Sequence, residues 1–103
     1  MPHAHTVFFQ LHDASPAARE KMVKECYDYL EGHDGMVAFS AGTRAGGYDR
    51  DVNDVQFDVS LHIIFSDSGK HDAYQIAPRH VEFASRNKPL WKTVRVFDSI
   101  VPL

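Results

Sequence analysis

The stretch VQFDVSLHIIF, residues 55–65, carries the clearest structural pattern in this sequence. Its residues alternate between an apolar face and a largely polar one, which is typical of a β-strand with one buried side. The apolar face holds Phe57, Val59, Leu61, Ile63 and Phe65, and the other face holds Gln56, Asp58, Ser60, His62 and Ile64. The stretch therefore predicts a strand over Val55–Phe65 that contributes one face to a hydrophobic core.

A second strand and a helix are predicted upstream of this stretch. Apolar residues recur at every second position of residues 3–11, so that His5 shares a face with Val7. This position directs the ring of His5 toward the buried side, but we favour the simpler interpretation of an exposed histidine at a fraying strand end. Ser15 and Pro16 form a typical helix start, because a serine side chain caps a free backbone amide and proline suits the first turn.

An apolar stripe at helical spacing follows this start and ends before Gly32. The stripe comprises Ala18, Met22, Val23, Cys26, Tyr29 and Leu30. Because the stripe is the side that packs against a core, Cys26 is interpreted as a buried core residue rather than as a nucleophile.

The remaining segments complete an alternating order of strands and helices. They are a strand at Met36–Gly42, a glycine-rich loop at 42–53, a short helix from Asp67 or Ser68 to about Ile76, a helix from Pro78 to about Asn87 and a strand at Leu90–Val101. Val37, Phe39 and Ala41 are expected to share one strand face, and His80, Val81 and Ala84 one helix side. The order β-α-β-β-α-β is typical of ferredoxin-like α+β sandwiches, with both helices on one side of an antiparallel sheet.

Such a sheet has a second face, which this sequence also makes partly apolar. Phe8, Ile64 and some of Val94, Val96 and Ile100 are assigned to that face. Because a monomer rarely exposes a large apolar patch, we expect a two-fold homodimer in which two sheets pack face to face as a dimeric α+β barrel.

Size and charge exclude several classes of protein. The chain has 103 residues, which predicts a single domain over 1–103. Its net charge is −3, with 11 basic and 14 acidic residues and no basic run, so we expect no nucleic-acid partner. It lacks an apolar run of the roughly 18 residues that span a bilayer, so we expect no membrane partner and a cytoplasmic location.

Seven histidines raise the question of a metal site. They are dispersed along the chain and show no His-x3-His spacing, and the single cysteine excludes a Cys-x2-Cys pair. The sequence therefore predicts no metal site. It also contains no recognised cofactor motif, so no cofactor is expected.

Three segments carry a resemblance to a known family. HTVFFQL at 5–11, YQIAPRHVEF at 74–83 and VRVFD at 94–98 resemble the stress-responsive A/B barrel domain, called Dabb, of the dimeric α+β barrel superfamily. The most specific pattern is Tyr-x3-Pro-x-His-x2-Phe, here formed by Tyr74, Pro78, His80 and Phe83, together with His5. The resemblance covers essentially the whole chain and implies the fold and the dimer expected above.

The resemblance also implies a site. A plant polyketide cyclase of this family has the matching tyrosine and histidines in its active-site pocket, so His5, Tyr74 and His80 are expected to line a cavity between helices and sheet. In that role His80 is a general base, Tyr74 donates a hydrogen bond to the oxygen that gains charge, and His5 orients His80 or the substrate. Ligand contacts are expected from Phe9, Val59, Phe83 and Trp91.

Two main functions remain open at this point. One is a small stress-related homodimer that binds a hydrophobic or aromatic molecule without converting it. The other is a lyase, cyclase or isomerase that acts on a polyketide-like carbonyl compound. Val59 stands where the cyclase has a strand histidine, and His62 is predicted on the opposite face, which favours binding. A third possibility is haem- or flavin-linked oxidative chemistry, for which the sequence offers histidines only.

Overall fold

The computed structural model describes residues 1–102 and contains four strands and three α-helices. The elements are β1 (His3–Leu11), α1 (Pro16–Leu30), β2 (Met36–Thr43), β3 (Val59–Phe65), α2 (Ser68–Gln75), α3 (Pro78–Asn87), a 3-10 turn (Lys88–Leu90) and β4 (Trp91–Ile100). The strands pair antiparallel in the order β2-β3-β1-β4. The predicted ferredoxin-like α+β fold is thereby confirmed.

The core lies between the sheet and the helices. Its buried apolar members are Val7, Phe9, Leu11, Met22, Cys26, Leu30, Val59, Leu61, Ile63, Phe65, Tyr74 and Phe83. The predicted helix start is confirmed, because Ser15 Oγ accepts a hydrogen bond from the Ala18 amide at 3.2 Å and Pro16 opens α1. His5 is only 5% exposed on the same face as Val7, so the interpretation of a fraying, exposed histidine was wrong.

The strand predicted from Val55 begins instead at Val59. Asp58 ends the pairing: its amide donates to the Phe9 carbonyl at 2.8 Å, and its carboxylate accepts the Leu11 amide at 2.8 Å. Phe57 then packs on Phe8, with ring centroids 5.0 Å apart, so it lies on the face of the sheet that the helices do not cover.

Two further side chains point away from the predicted face. The pairing of β2 with β3 is irregular between Met36 and Ala38, so Val37 is turned outward and is 63% exposed. In α3 the buried positions are Phe83 and Asn87, and Val81 is exposed instead of packing beside His80.

The strand β4 also corrects the predicted composition of the second face. Directly paired residues of antiparallel strands share a face, and Val94, Val96 and Ile100 pair with core-facing positions of β1. These three side chains therefore lie on the helix side, where they remain exposed because β4 is an edge strand. The second face instead carries Phe97, which is 55% exposed and packs on Phe8 with ring centroids 5.9 Å apart.

Within residues 1–102, none of the helices combines the length and the apolar character needed to cross a membrane.

Candidate functional site

A cavity of about 430 Å³ opens between the sheet and helices α2 and α3. Of the side chains singled out from the sequence, the cavity is lined by His5, Phe9, Tyr74, His80, Phe83 and Trp91. Val59 does not line it, because its side chain is fully buried in the core between sheet and helices. The expected ligand contact of Val59 is therefore corrected to a packing role.

Tyr74 and His80 meet where α2 gives way to α3. Tyr74 belongs to the last turn of α2 and His80 to the first turn of α3, which Pro78 opens. The Ala77 amide donates to the Tyr74 carbonyl at 3.2 Å and closes the turn between the helices. The two rings consequently contact edge to face, with centroids 4.6 Å apart.

The Tyr74 hydroxyl is a buried donor. The residue is 2% exposed, and the hydroxyl has no hydrogen-bond partner among residues 1–102. Burial raises the pKa of this phenol well above its usual range, and repulsion from the nearby Cys26 sulfur, once that sulfur is ionised at high pH, raises it further. Tyr74 is therefore protonated at neutral pH, and its free hydroxyl is able to donate a hydrogen bond.

His5 is oriented by a carboxylate on the neighbouring strand. It pairs directly with Asp98 in the sheet, and its Nδ1 atom lies 2.7 Å from Asp98 Oδ1. Because a carboxylate only accepts hydrogen bonds, Nδ1 carries the proton and Nε2 keeps its lone pair. Burial lowers the pKa of His5 and the bond to Asp98 opposes this only in part, so the ring is neutral at pH 7.

His80 is also neutral at pH 7. Burial lowers the pKa of His80, and the nearby His5 and His33 rings lower it further because they disfavour another positive charge. The cavity therefore places a neutral imidazole beside a protonated phenol, the pairing that proton transfer next to a carbonyl requires.

Three polar residues that sequence reasoning left outside the site surround His5. Asp98 Oδ1 also accepts from His3 Nε2 at 2.9 Å, and the His71 ring stacks on His3 with centroids 4.2 Å apart. Burial alone raises the pKa of Asp98, but the hydrogen bonds from His3 and His5 outweigh it and hold the carboxyl below its usual range. Asp98 could have been singled out from the sequence, because it ends the VRVFD segment that carries the family resemblance. The partners of Asp98, in contrast, follow only from the pairing of β1 with β4.

The cavity has a polar end and an aromatic end. His5 and Asp98 mark the polar end, and four residues further along β1, roughly 13 Å away, Phe9 packs on Trp91 with ring centroids 5.0 Å apart. Phe83 adds a third ring, 6.0 Å from Trp91. Such a cavity suits a molecule with an apolar or aromatic body and an oxygen-bearing head.

Comparison with known proteins gives one family match and many similar folds. The sequence model of the Stress responsive A/B Barrel Domain, Dabb, matches residues 4–101. No curated protein matches this chain by sequence. A Dabb family protein with a ferredoxin-like fold from Mesorhizobium loti is 26% identical, with a TM-score of 0.77 over 99% of this chain and 97% of that one.

Two structures with lower sequence identity share the fold. A dimeric ferredoxin-like protein of unknown function from Thermobifida fusca is 15% identical, with a TM-score of 0.81 over 98% of this chain and 92% of that one. Hydroxynitrile lyase from Passiflora edulis is 18% identical, with a TM-score of 0.78 over 98% and 94%. At these identities the likeness is one of architecture.

Proposed function

Because this chain belongs to the stress responsive A/B barrel domain family, we propose that it binds a small aromatic or hydrophobic molecule with an oxygen-bearing head in the cavity between sheet and helices. The observation that carries the proposal is the division of this cavity into a polar end at His5 and Asp98 and an aromatic end at Phe9 and Trp91. The stress-related part of the proposal rests on the family description alone.

The size and the lining of the cavity support this ligand class. A volume of about 430 Å³ lies within the range of roughly 300–1,000 Å³ that small-molecule sites occupy. Two lining residues, Tyr74 and Trp91, each carry a buried polar atom without a partner among residues 1–102. An unpaired buried donor costs about 1–3 kcal/mol, which a ligand acceptor relieves.

The sole tryptophan of the chain provides the test, because Trp91 lines the aromatic end. Phenolic ketones such as 2,4-dihydroxyacetophenone are titrated into the protein while tryptophan fluorescence and heat of binding are recorded. We expect saturable binding that weakens at least about tenfold in His80→Ala, which loses a polar wall of the cavity. His12→Ala is the matched control, since His12 is an exposed histidine that does not line the cavity. Equal affinity of both variants for every compound that binds contradicts the proposal.

Homodimerisation is the second part of the proposal. The uncovered sheet face presents Phe8 in ring contact with both Phe57 and Phe97, and a partner sheet would shield this apolar surface. The Thermobifida fusca structure is itself described as dimeric. Light scattering at micromolar concentration is expected to give twice the 11.7 kDa chain mass. Phe97→Asp is expected to give monomers, whereas Val52→Asp, in the exposed loop before β3, leaves the dimer intact.

A catalytic function is a second candidate, favoured by the contact of His80 with Tyr74. In this version His80 removes a proton from the carbon next to a carbonyl, and Tyr74 donates a hydrogen bond to the oxygen that gains charge. Deuterium exchange into the α-position of the same ketones in D2O, followed by NMR, measures this step directly. If the wild type accelerates this exchange and His80→Ala does not, the result supports catalysis. If the ketones bind but their exchange is not accelerated, the protein binds these molecules without converting them.

A further inference from the structure

The polar end of the cavity continues into three side chains that come from three different elements: His3 of β1, His71 of α2 and Asp98 of β4. One nitrogen or oxygen atom from each lies within 4.8 Å of the others. We propose that these residues form a binding site for a divalent transition-metal ion of the zinc type, with two imidazole nitrogens and one carboxylate oxygen as ligands.

His71 is already prepared to act as a ligand. Its Nδ1 atom lies 3.0 Å from the Asp72 carboxylate, which fixes the proton on Nδ1. Nε2 then keeps its lone pair and accepts a weak hydrogen bond from the Gln75 side-chain amide, whose nitrogen lies 3.3 Å away and which an ion has to displace. Metal-bound histidines typically donate their second ring N–H to a carboxylate in this way.

His3 has a partner that permits the same tautomer. Its Nδ1 atom lies 2.9 Å from Ser68 Oγ, and a hydroxyl either donates or accepts. In the metal-free protein His3 Nε2 donates to Asp98, so Ser68 donates to Nδ1. When Nε2 gives up its proton to bind an ion, Nδ1 takes a proton and donates to Ser68 instead.

The present distances are close to those of a bound site. Tetrahedral zinc with bonds of about 2.0–2.1 Å separates its ligand atoms by about 3.4 Å. Asp98 Oδ1 lies 2.9 Å from His3 Nε2 and 3.6 Å from His71 Nε2. The two imidazole planes are within 10° of parallel, so one ring has to tilt to bring the ion into both planes.

The open side of the site faces the cavity. His71 and Asp98 both line the cavity, and His5, which also lines it, donates a hydrogen bond to Asp98. Three protein ligands leave a fourth position free, as in zinc sites that bind an exogenous oxygen. The ion is thus placed to meet the oxygen-bearing head of a molecule in the cavity, although metal binding itself does not depend on the proposed ligand.

Spacing along the chain does not reveal such a site. Positions 3, 71 and 98 are too far apart for any local metal motif, which is why the sequence predicts none. Pairing of β1 with β4 and the docking of α2 above them bring the ligands together.

The test is a titration of untagged, EDTA-treated protein with Zn²⁺ alone by calorimetry and with Co²⁺ by visible absorption. We expect one ion per chain, with the d–d absorption of a bound Co²⁺ ion. His71→Ala is expected to weaken Zn²⁺ binding by more than about tenfold, since loss of even an outer partner typically costs that much. His12→Ala, at an exposed position just after the end of β1 that lies far from His3, is the matched control and is expected to bind as the wild type does.

A second variant keeps the test decisive if His71→Ala does not fold. Asp98→Asn removes the anionic ligand but keeps an oxygen that accepts from His3 and His5, and circular dichroism verifies that it is folded. If neither Asp98→Asn nor a folded His71→Ala reduces the affinity for Zn²⁺, the proposal is overturned. A wild type that shows no saturable binding of one ion per chain also overturns it.

Discussion

His5 and Asp98 occupy directly paired positions of β1 and β4, and the Nδ1 atom of His5 lies 2.7 Å from Asp98 Oδ1. This bond joins residues 93 positions apart in the chain and connects an edge strand to the polar end of the cavity. Its chemical consequence is that the neutral His5 ring has one defined tautomer, with the Nε2 lone pair unprotonated.

The tautomer of His5 is the first prediction. In metal-free wild type above about pH 8, where a histidine with an ordinary or lowered pKa is neutral, the proton of His5 is expected on Nδ1. Asp98→Ala removes the acceptor, so the proton is expected to redistribute toward Nε2. Imidazole nitrogen chemical shifts from long-range ¹H–¹⁵N NMR distinguish the two forms. Asp98→Asn retains an acceptor and is expected to keep the wild-type form; an unchanged tautomer in Asp98→Ala refutes the orienting role.

The stability of the protein is expected to fall as the pH drops below about 6.5. Burial lowers the pKa of His80 in the folded state, so the unfolded chain takes up this proton first. The free energy of unfolding is therefore unaffected by His80 above about pH 6.5 and declines below it. Urea unfolding at several pH values measures the slope.

Other titratable groups surround His80, so the comparison needs a variant. The groups that face it are His5 of β1, His33 between α1 and β2, and His71 and Tyr74 of α2. Replacing His80 by Gln is expected to make the decline below about pH 6.5 shallower, because one proton uptake is removed. A slope identical to that of the wild type means that His80 is not destabilised in its charged form.

Gly35 is expected to be less replaceable than Gly32, although both have positive φ angles, 84° and 82°. Gly32→Ala is expected to cost about 1 kcal/mol of unfolding free energy, from the left-handed backbone alone. An alanine Cβ at Gly35 meets the side chain of Lys70 in α2, whereas one at Gly32 meets open space. Gly35→Ala is therefore expected to cost about 1–3 kcal/mol more, since Lys70 has to move.

Urea unfolding of the two glycine variants measures this difference. Because α2 also carries His71 and Tyr74, Gly35→Ala is further expected to weaken binding in the cavity, and Gly32→Ala is not. Equal losses of stability in the two variants contradict the assigned contact with Lys70.

Cys26 is expected to be unreactive while the protein is folded. Its side chain is fully buried, and burial raises the pKa of the thiol to about 12, so almost no thiolate is present near neutral pH. Ellman's reagent is expected to label the protein rapidly in guanidinium chloride and only slowly in its absence. Rapid labelling of the folded protein at about pH 8 is incompatible with a core position.

Local patterns in the sequence were sufficient for most of the fold. Ser15 and Pro16 predicted the start of α1 correctly. The alternation through Val7 put His5 on the core-facing side of β1, although the favoured interpretation of His5, an exposed residue at a fraying strand end, was wrong. These inferences hold because capping and face alternation depend on neighbouring residues only. The Tyr74 and His80 pair followed from the family resemblance and from two helices separated by a short turn.

Where local patterns failed, a distant partner decided the outcome. Val37 is turned outward by the irregular pairing of β2, and Val94 and Val96 lie on the helix side because of their register with β1. An apolar residue of a strand is compatible with either face until its neighbouring strand is known.

Short-range sequence patterns therefore account for the set of elements and for an imidazole and a phenol beside a helix start. The bond from His5 to Asp98 and the convergence of His3, His71 and Asp98 depend on how distant elements pack, because hydrogen bonds and metal ligands act over a few ångströms. His3 and Asp98, 95 positions apart in the chain, are brought within that range by strand pairing.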